Sequence, residues 1–512
     1  MNRNKMIIFN GIIVTFTTIL NAILGMVEVS MLLKYFGSTV NGLIQTGNQV
    51  LNYVSLIEAG LSAAFLYKMY RPIAEGNNAH LSSLYTGFRK SMSNTVNKMI
   101  LTSLLVSAIY PLFIKHSGLA YPYMLTVFIL LSLKVILPYK VTMVPKYMIV
   151  AKEQKYKAEF ISGICRAITY ITVILMMVID SKFNIGISIH MLLIVGILVS
   201  LLTGFWFEKE MNKIFRDSLD KKANPDITPN KMSKDIFVHN ISSMVFSSTD
   251  NIIIATLGTL EEVTIYSSYN MVIGQVTELA QKFMDGATAS MGIKIAQRDS
   301  NSYDIYREMI SASLWLGGVI CTIFAIMIND FITLWIGKEY CVDSFNLILF
   351  ALVLYCGIIL PCVQITRNAS GLYKESKNFT VIQSVVNLII TLLLVPKLGI
   401  TGALIGTVFA RIVITIPCNY KLVDKKVFPG HKSRWIEIVI GYVIMIGASL
   451  LGLYSVRKMI FLEFNPGIQF LFKTIVVSIL VIIFYTVYYW VINTGFREFI
   501  CRILGIIKNK RA

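Results

Sequence analysis

The sequence predicts an all-α polytopic membrane protein of about fourteen transmembrane helices, arranged as two six-helix bundles related as repeats plus two C-terminal helices. Three observations predict it. Hydrophobic residues make up 55% of the 512 and charged residues 15%, and apolar runs recur along the whole chain. Many of these runs reach the ~20 helical residues that cross a ~30 Å hydrocarbon core. With the N-terminus placed inside, 34 of the 47 Lys and Arg fall in cytoplasmic segments and 7 in outer ones, as the positive-inside rule requires. Finally, one unusual helix–turn–helix unit is written twice. Glu28 to Gly37 leads to the turn Asn41-Gly42, and Thr249-Asp250-Asn251 leads through an apolar stretch to Gly258; the two glycines Gly37 and Gly258 are 221 residues apart.

The spans follow in order: 7–33, 40–67, 96–114, 122–148, 158–179, 187–207, 236–257, 264–288, 309–328, 344–366, 379–395, 399–420, 435–456 and 468–493. Their runs are continuous, not alternating, which argues against a transmembrane β-barrel. The first carries the basic lead Arg3 and Lys5 but continues to Leu33 without a small-residue cleavage site, so it reads as a retained span and not as a signal peptide. Segment 70–95, with Arg71-Pro72, is mixed polar and apolar and reads as an interfacial helix. The organisation is then an N-terminal bundle at 1–207, a charged cytoplasmic linker at 208–235 with Pro225 and Pro229, a second bundle at 236–425, and two extra helices with a cytoplasmic tail at 426–512. Both termini are cytoplasmic. Lys152-Glu-Gln-Lys155 returns as Lys374-Glu-Ser-Lys377 at an offset of 222, and Ala74–Asn77 returns as Ala296–Asp299 at the same offset. Six spans repeated in one orientation give two bundles related by an axis along the membrane normal, a transporter architecture with the substrate site at the repeat interface.

Much chemistry is excluded. The net charge of +19 is met by cytoplasmic loops and calls for no nucleic acid. The seven cysteines and five histidines show no ligand spacing, so neither a zinc site nor a disulfide framework is expected. There is no phosphate loop for ATP hydrolysis, and no H-E-x-x-H or G-x-S-x-G. No cofactor, no metal and no enzymatic activity are expected.

The functional residues are therefore sought among charges inside the spans. Each costs at least ~2.5–3.5 kcal/mol at mid-bilayer and should face a cavity or a partner. The bases are Lys134, Lys140, Arg166, Lys282, Arg411 and Lys473. At 1.5 Å per residue, Lys134, Arg166 and Arg411 lie roughly 13–18 Å from their span ends, near the midplane, whereas Lys140 and Lys473 are close enough to an end to snorkel. The acids are Glu28, Glu58, Asp250, Glu278 and Asp285, with Glu28 and Asp250 at nearly equivalent places in the repeats. In one reading Arg166, Arg411, Lys134 and Lys282 line a hydrated cavity for an anionic substrate, and Asp250, Glu28, Glu58 and Glu278 tune it or carry coupling protons or cations. In the other, bases and acids pair and only fix helix packing, Asp250 caps its own helix, and Tyr53, Tyr266 and Tyr269 are core and not sugar-stacking platforms.

Thr249-Asp250-Asn251-Ile-Ile-Ile, then Leu257-Gly258 and Tyr266-Ser-Ser-Tyr269, resembles the seventh span of bacterial polysaccharide flippases of the multidrug/oligosaccharidyl-lipid/polysaccharide exporter superfamily. Tyr35-Phe-Gly37, Asn41-Gly-Leu43, Ser55 to Phe65, Tyr70-Arg-Pro-Ile-Ala74, Gly371-Leu-Tyr-Lys374 and Lys397-Leu-Gly-Ile-Thr-Gly402 fit the same resemblance, which covers about residues 5–425. It implies two six-helix bundles, often with two extra helices, in the bacterial cytoplasmic membrane. It further implies that an undecaprenyl-diphosphate-linked oligosaccharide is flipped outward for O-antigen, capsule or exopolysaccharide synthesis, driven by a proton or sodium gradient. Membrane lipids and the polysaccharide polymerase machinery are the implied partners. A multidrug/cation antiporter and a peptidoglycan lipid-precursor flippase of the same superfamily are the alternatives.

Overall fold

The computed structural model describes residues 3–58, 60–114, 117–216, 218–230, 249–296, 302–370, 372–431, 434–458 and 465–509; the side chains of 3–14, 282–296, 369, 373, 374, 377, 456–458 and 503–509 lie outside the described set. Among the described residues every regular element is helical: α1 (Arg3–Ser55), α2 (Leu61–Glu75), α3 (Asn78–Ile109), α4 (Tyr121–Ile136), α5 (Tyr139–Ala151), α6 (Lys155–Phe183), α7 (Ile189–Ile214), α8 (Asp250–Leu257), α9 (Leu260–Ala296), α10 (Ser302–Trp335), α11 (Ser344–Ala369), α12 (Tyr373–Leu398), α13 (Ile400–Phe409), α14 (Ile416–Lys426), α15 (Trp435–Lys458), α16 (Pro466–Ile492) and α17 (Thr494–Asn509), with short 3-10 and π turns between some of them. Eleven of the described helical segments are long and apolar enough to cross a membrane. The first carries two expected spans across a kink, and the expected spans 236–257 and 264–288 fall partly outside the described residues. The chain is a multi-pass helical membrane protein.

One expected span is interrupted, and two cross as expected with a local irregularity. Span 40–67 ends at Ser55, turns, and resumes as α2. Span 122–148 is one crossing segment, Tyr121–Ala151, with a local turn at Leu137-Pro138 between α4 and α5, where proline lacks the N–H that would continue the ladder. Span 399–420 contains a π-helical turn at Ala410–Thr415, just before Pro417, where the missing donor loosens the register. The interfacial helix expected at 70–95 is instead the end of α2, a left-handed Gly76 cap, and the start of α3, whose first turn Asn77 caps by accepting from His80 N.

Two compact units divide the chain, Met1–Thr264 and Ile265–Ala512. In the first, both copies of the helix–turn–helix elbow are visible. Gly37 breaks α1 at φ +81°, a conformation that only glycine adopts readily. In the second copy Thr259 and Glu262 bond reciprocally, Thr259 N to Oε2 at 3.1 Å and Glu262 N to Oγ1 at 3.2 Å, which is a capping box opening α9. The elbows touch each other. Thr39 donates to Glu261, Asn41 Nδ2 to Thr264 Oγ1 at 3.2 Å, and Thr264 Oγ1 to the Ser38 carbonyl at 2.7 Å. Gly42 lies so close to Leu260 that a Cβ there would stand 1.9 Å from the Leu260 carbonyl oxygen. Thr39 and Glu261 are 222 residues apart, the repeat offset, so a residue meets its own counterpart.

The linker after α7 is strapped onto the start of α3. Asp220 N donates to Ser82 Oγ at 2.9 Å and Asp226 N to the Ser83 carbonyl at 2.8 Å. His80 Nε2 lies 3.5 Å from Asp226 Oδ2. Thr228 donates through its hydroxyl and its N–H to Asp226, and these bonds hold the carboxyl below the usual carboxylate range.

The second unit is organised around α10 and α11, whose apolar windows are 78% and 67% buried, against 22% for α16 on the outside. α15 and α16 clad α10, and Tyr485 of α16 bonds Thr322 of α10 at 2.9 Å. In the first unit no described span window exceeds 33% buried.

Candidate functional site

In the first unit, α1, α4, α6 and α7 bring four of the predicted or neighbouring polar groups together. Asn21 on α1 donates through Nδ2 to the Gly163 carbonyl of α6 at 3.1 Å. A Cβ at Gly163 would be 2.6 Å from Thr17, so the small residue sets how closely α1 and α6 approach. One helical stretch further along α1, half-buried Glu28 interacts electrostatically with Lys134 of α4. The Lys134 stem runs beside Gly196 of α7, with Cε 3.0 Å and Nζ 3.5 Å from where a Cβ would be. Tyr170 of α6 interacts electrostatically with both Glu28 and Arg166.

Arg166 is exposed, and the direction of that exposure matters. The exposed apolar residues Ile168, Ile171, Leu175 and Ile179 form one face of α6, the face suited to lipid. Arg166 stands roughly 170° around the helix from it, on the side that carries Gly163, Tyr170 and the buried Val173 and Met177. Its guanidinium is thus exposed on the face turned from the apolar one. Together Lys134, Arg166 and Tyr170 offer two cations and a phenol, with Glu28 as the counter-charge.

The other predicted residues are placed separately. Glu58 is buried in the turn before α2, accepts from Ser62, and interacts with Tyr139 and Tyr147 of α5. Asp250 stands in the first turn of α8, where a carboxylate favours the helix dipole; beside it Thr249 Oγ1 and Tyr53 OH are 2.6 Å apart. These all belong to the first unit. In the second, Arg411 sits on the π turn and donates through Nη1 to the Val353 carbonyl of α11 at 3.0 Å. Glu278 is exposed on α9. Lys282 lies four residues on, and its side chain is outside the described residues, as is that of Asp285.

Some groups were missed or misread in the sequence. Lys473, expected to snorkel, is bound by Asp330, which lies just past the expected end of its span because α10 runs on to Trp335. Tyr269 is core and not a sugar platform: it stacks on Phe350 at 4.7 Å, donates to Asn329 and accepts from Val342 N. Asn21, Gly163, Tyr170 and Gly196 carry no local signal of the cluster they complete. The tail beyond 494, expected only as a cytoplasmic tail, forms the amphipathic α17; the 3.6-residue alternation of Phe496, Phe499 and Ile500 with Arg497, Glu498 and Arg502 is the signal that could have found it.

No family model matches this chain, and no curated protein does. Solved structures do. The chain is similar to the lipid II flippase MurJ in an inward closed conformation, at 16% identity and TM-score 0.67, over 93% of this chain and 99% of that one. It is similar to an inward-facing multidrug resistance MATE family transporter of the MOP superfamily, at 11% identity and TM-score 0.60, over 88% and 99%. A third is a MOP superfamily transporter from Pyrococcus furiosus, described by a reverse polarity of its binding pocket, at 11% identity and TM-score 0.53, over 89% and 97%. The fold is that of MOP-superfamily transporters.

Proposed function

We propose that the chain is a flippase that moves a polyprenyl-diphosphate-linked glycan across the bacterial cytoplasmic membrane by alternating access of its two repeats. The observation that carries this reading is the pair of cations, Lys134 and Arg166, on helices of one unit, with Arg166 turned from the lipid face. A diphosphate suits two bases held at membrane depth in one unit, since each must face a polar partner to offset its insertion cost. Glu28 neutralises Lys134 while the site is empty. An entering diphosphate competes for the ammonium and leaves Glu28 to take up a proton or a cation, which links substrate entry to an ion gradient. A drug/cation antiporter would call for a predominantly acidic site.

Two glycans compete for this role. The sequence resemblance supports an oligosaccharide precursor of surface polysaccharide. The likeness to the lipid II flippase over 93% of the chain supports a peptidoglycan precursor instead, and it rests on more of the molecule. The test is a depletion strain whose lipids are extracted and analysed by mass. Accumulation of a polyprenyl-linked disaccharide-peptide with growth arrest selects the peptidoglycan precursor. Accumulation of a polyprenyl-linked oligosaccharide with loss of surface polymer selects the other. Unchanged lipid intermediates with altered drug susceptibility would overturn the flippase reading.

A further inference from the structure

The second unit contains a cavity of about 560 Å3 unrelated to the charged cluster. It is a partly open cavity lined by Leu279 and Ala280 of α9, Ala312 and Trp315 of α10, and Phe499 and Ile500 of α17. Its volume lies within the ~300–1,000 Å3 of small-molecule sites, yet its lining side chains are all apolar. Trp315 turns its indole N–H away, to Thr486 Oγ1 at 3.1 Å, and presents only ring to the space.

The wall formed by α17 is firmly held. Asn493 accepts from Ser311 Oγ at 2.8 Å and from Phe496 N at 3.0 Å, capping the helix. Phe496 is fully buried against Trp315, with centroids 5.6 Å apart. Glu498 pairs with Arg307, and Arg502 with Glu308 at 2.8 Å. The cavity is therefore a built feature of α9, α10 and α17. Arg497 differs from the other two arginines. It is exposed, makes no side-chain hydrogen bond or ion pair among the described residues, and is three positions from Ile500, so it shares that side of the helix. By the charge distribution of the loops, this end of α10 and all of α17 lie at the cytoplasmic leaflet, where anionic lipids attract basic amphipathic helices.

We propose that this cavity takes one acyl chain of an anionic phospholipid from the inner leaflet, with the phosphate at Arg497. The apolar lining selects an acyl chain, and the charge complementarity of Arg497 favours a headgroup of net negative charge over a neutral or zwitterionic one. The proposal stands independently of the transported substrate.

The test uses the full-length protein in nanodiscs with phosphatidylglycerol carrying a terminal diazirine on one acyl chain. Cross-links are expected on the segments around Leu279, Ala312 and Ile500, at least fivefold above those from the matching phosphatidylethanolamine probe. Ile500→Trp and Ala312→Phe should each reduce them at least fivefold, with folding checked by thermal melting; the two variants lie on different helices, so one remains informative if the other misfolds. Arg497→Gln should bring the two lipid probes level. Equal labelling by both probes in the unsubstituted protein overturns the proposal. So does labelling no stronger than at the lipid-facing Leu393 of α12, or labelling at these residues by a diazirine-tagged polyprenyl diphosphate alone.

Discussion

The two units differ in where they keep charge. The first holds Glu28, Lys134, Arg166 and Tyr170 at depth in its spans, and no described helix window there is more than 33% buried. The second wraps a dry core of α10 and α11 in α15 and α16. Among its described side chains, Lys473 pairs with Asp330 and Arg307 with Glu498 at helix ends, and Arg411 bonds a backbone carbonyl. The difference teaches that, among the described residues, charge at depth is gathered in the first unit and is bonded at helix ends or to backbone in the second. A charge at membrane depth is retained where a polar ligand passes and is otherwise displaced to an end or bonded to protein.

The sharpest way to break this comparison is to remove one partner from each unit. Glu28→Ala leaves Lys134 at membrane depth without the carboxylate it interacts with and should cost about 2.5 kcal/mol, read as a drop in melting temperature in detergent. Lys473→Met, at a helix end where Asp330 is 40% exposed, should cost under about 1 kcal/mol. Equal losses would mean that the two units treat charge alike. Next in size is the elbow contact. Gly42→Ala drives a Cβ into the Leu260 carbonyl and should cost about 2 kcal/mol by overpacking. Gly76→Ala meets open space at φ +68° and should cost about 1 kcal/mol from backbone strain alone. Melting of both variants orders them. Arg411→Gln should lose about 1 kcal/mol of stability with its bond to Val353 and change transport less than threefold, as measured in proteoliposomes; a transport defect equal to that of Arg166→Gln would place Arg411 in the substrate path.

The smallest effect concerns the strap on α3. Asp226 has its carboxyl held below the usual range by Thr228. Its contribution is thus complete above the unfolded carboxylate value and is lost only as pH falls through the depressed one. Trypsin nicking at Lys221 and Lys222 should stay constant from pH 8 to pH 6. Asp226→Ala should raise nicking severalfold, for a loss under about 1 kcal/mol.

Span positions, the Gly37 elbow and its copy at Gly258 were legible because hydropathy and glycine placement are local. The interruption after Ser55 and the turn at Leu137-Pro138 were not, since apolar residues flank both and hydropathy averages across them. Lys134 and Arg166 were legible as unusual charges at depth. Their company was not: Glu28 reaches Lys134 only through the packing of α1 on α6 and of α4 on α7, which no window of sequence contains. Arg411 was equally conspicuous by depth, yet its bond to Val353 depends on a π turn that the composition of 410–415 does not announce.

The most direct test reconstitutes the protein and its Lys134→Gln/Arg166→Gln variant in proteoliposomes, each with lipid II and with a polyprenyl-diphosphate oligosaccharide. Glycan reaching the outer leaflet is then scored with a membrane-impermeant reagent. Transport of one of the two lipids, reduced at least tenfold in a variant that melts within a few degrees of the unsubstituted protein, is the predicted result. Equal transport by both proteins, or transport of neither lipid by the unsubstituted protein, would contradict the account.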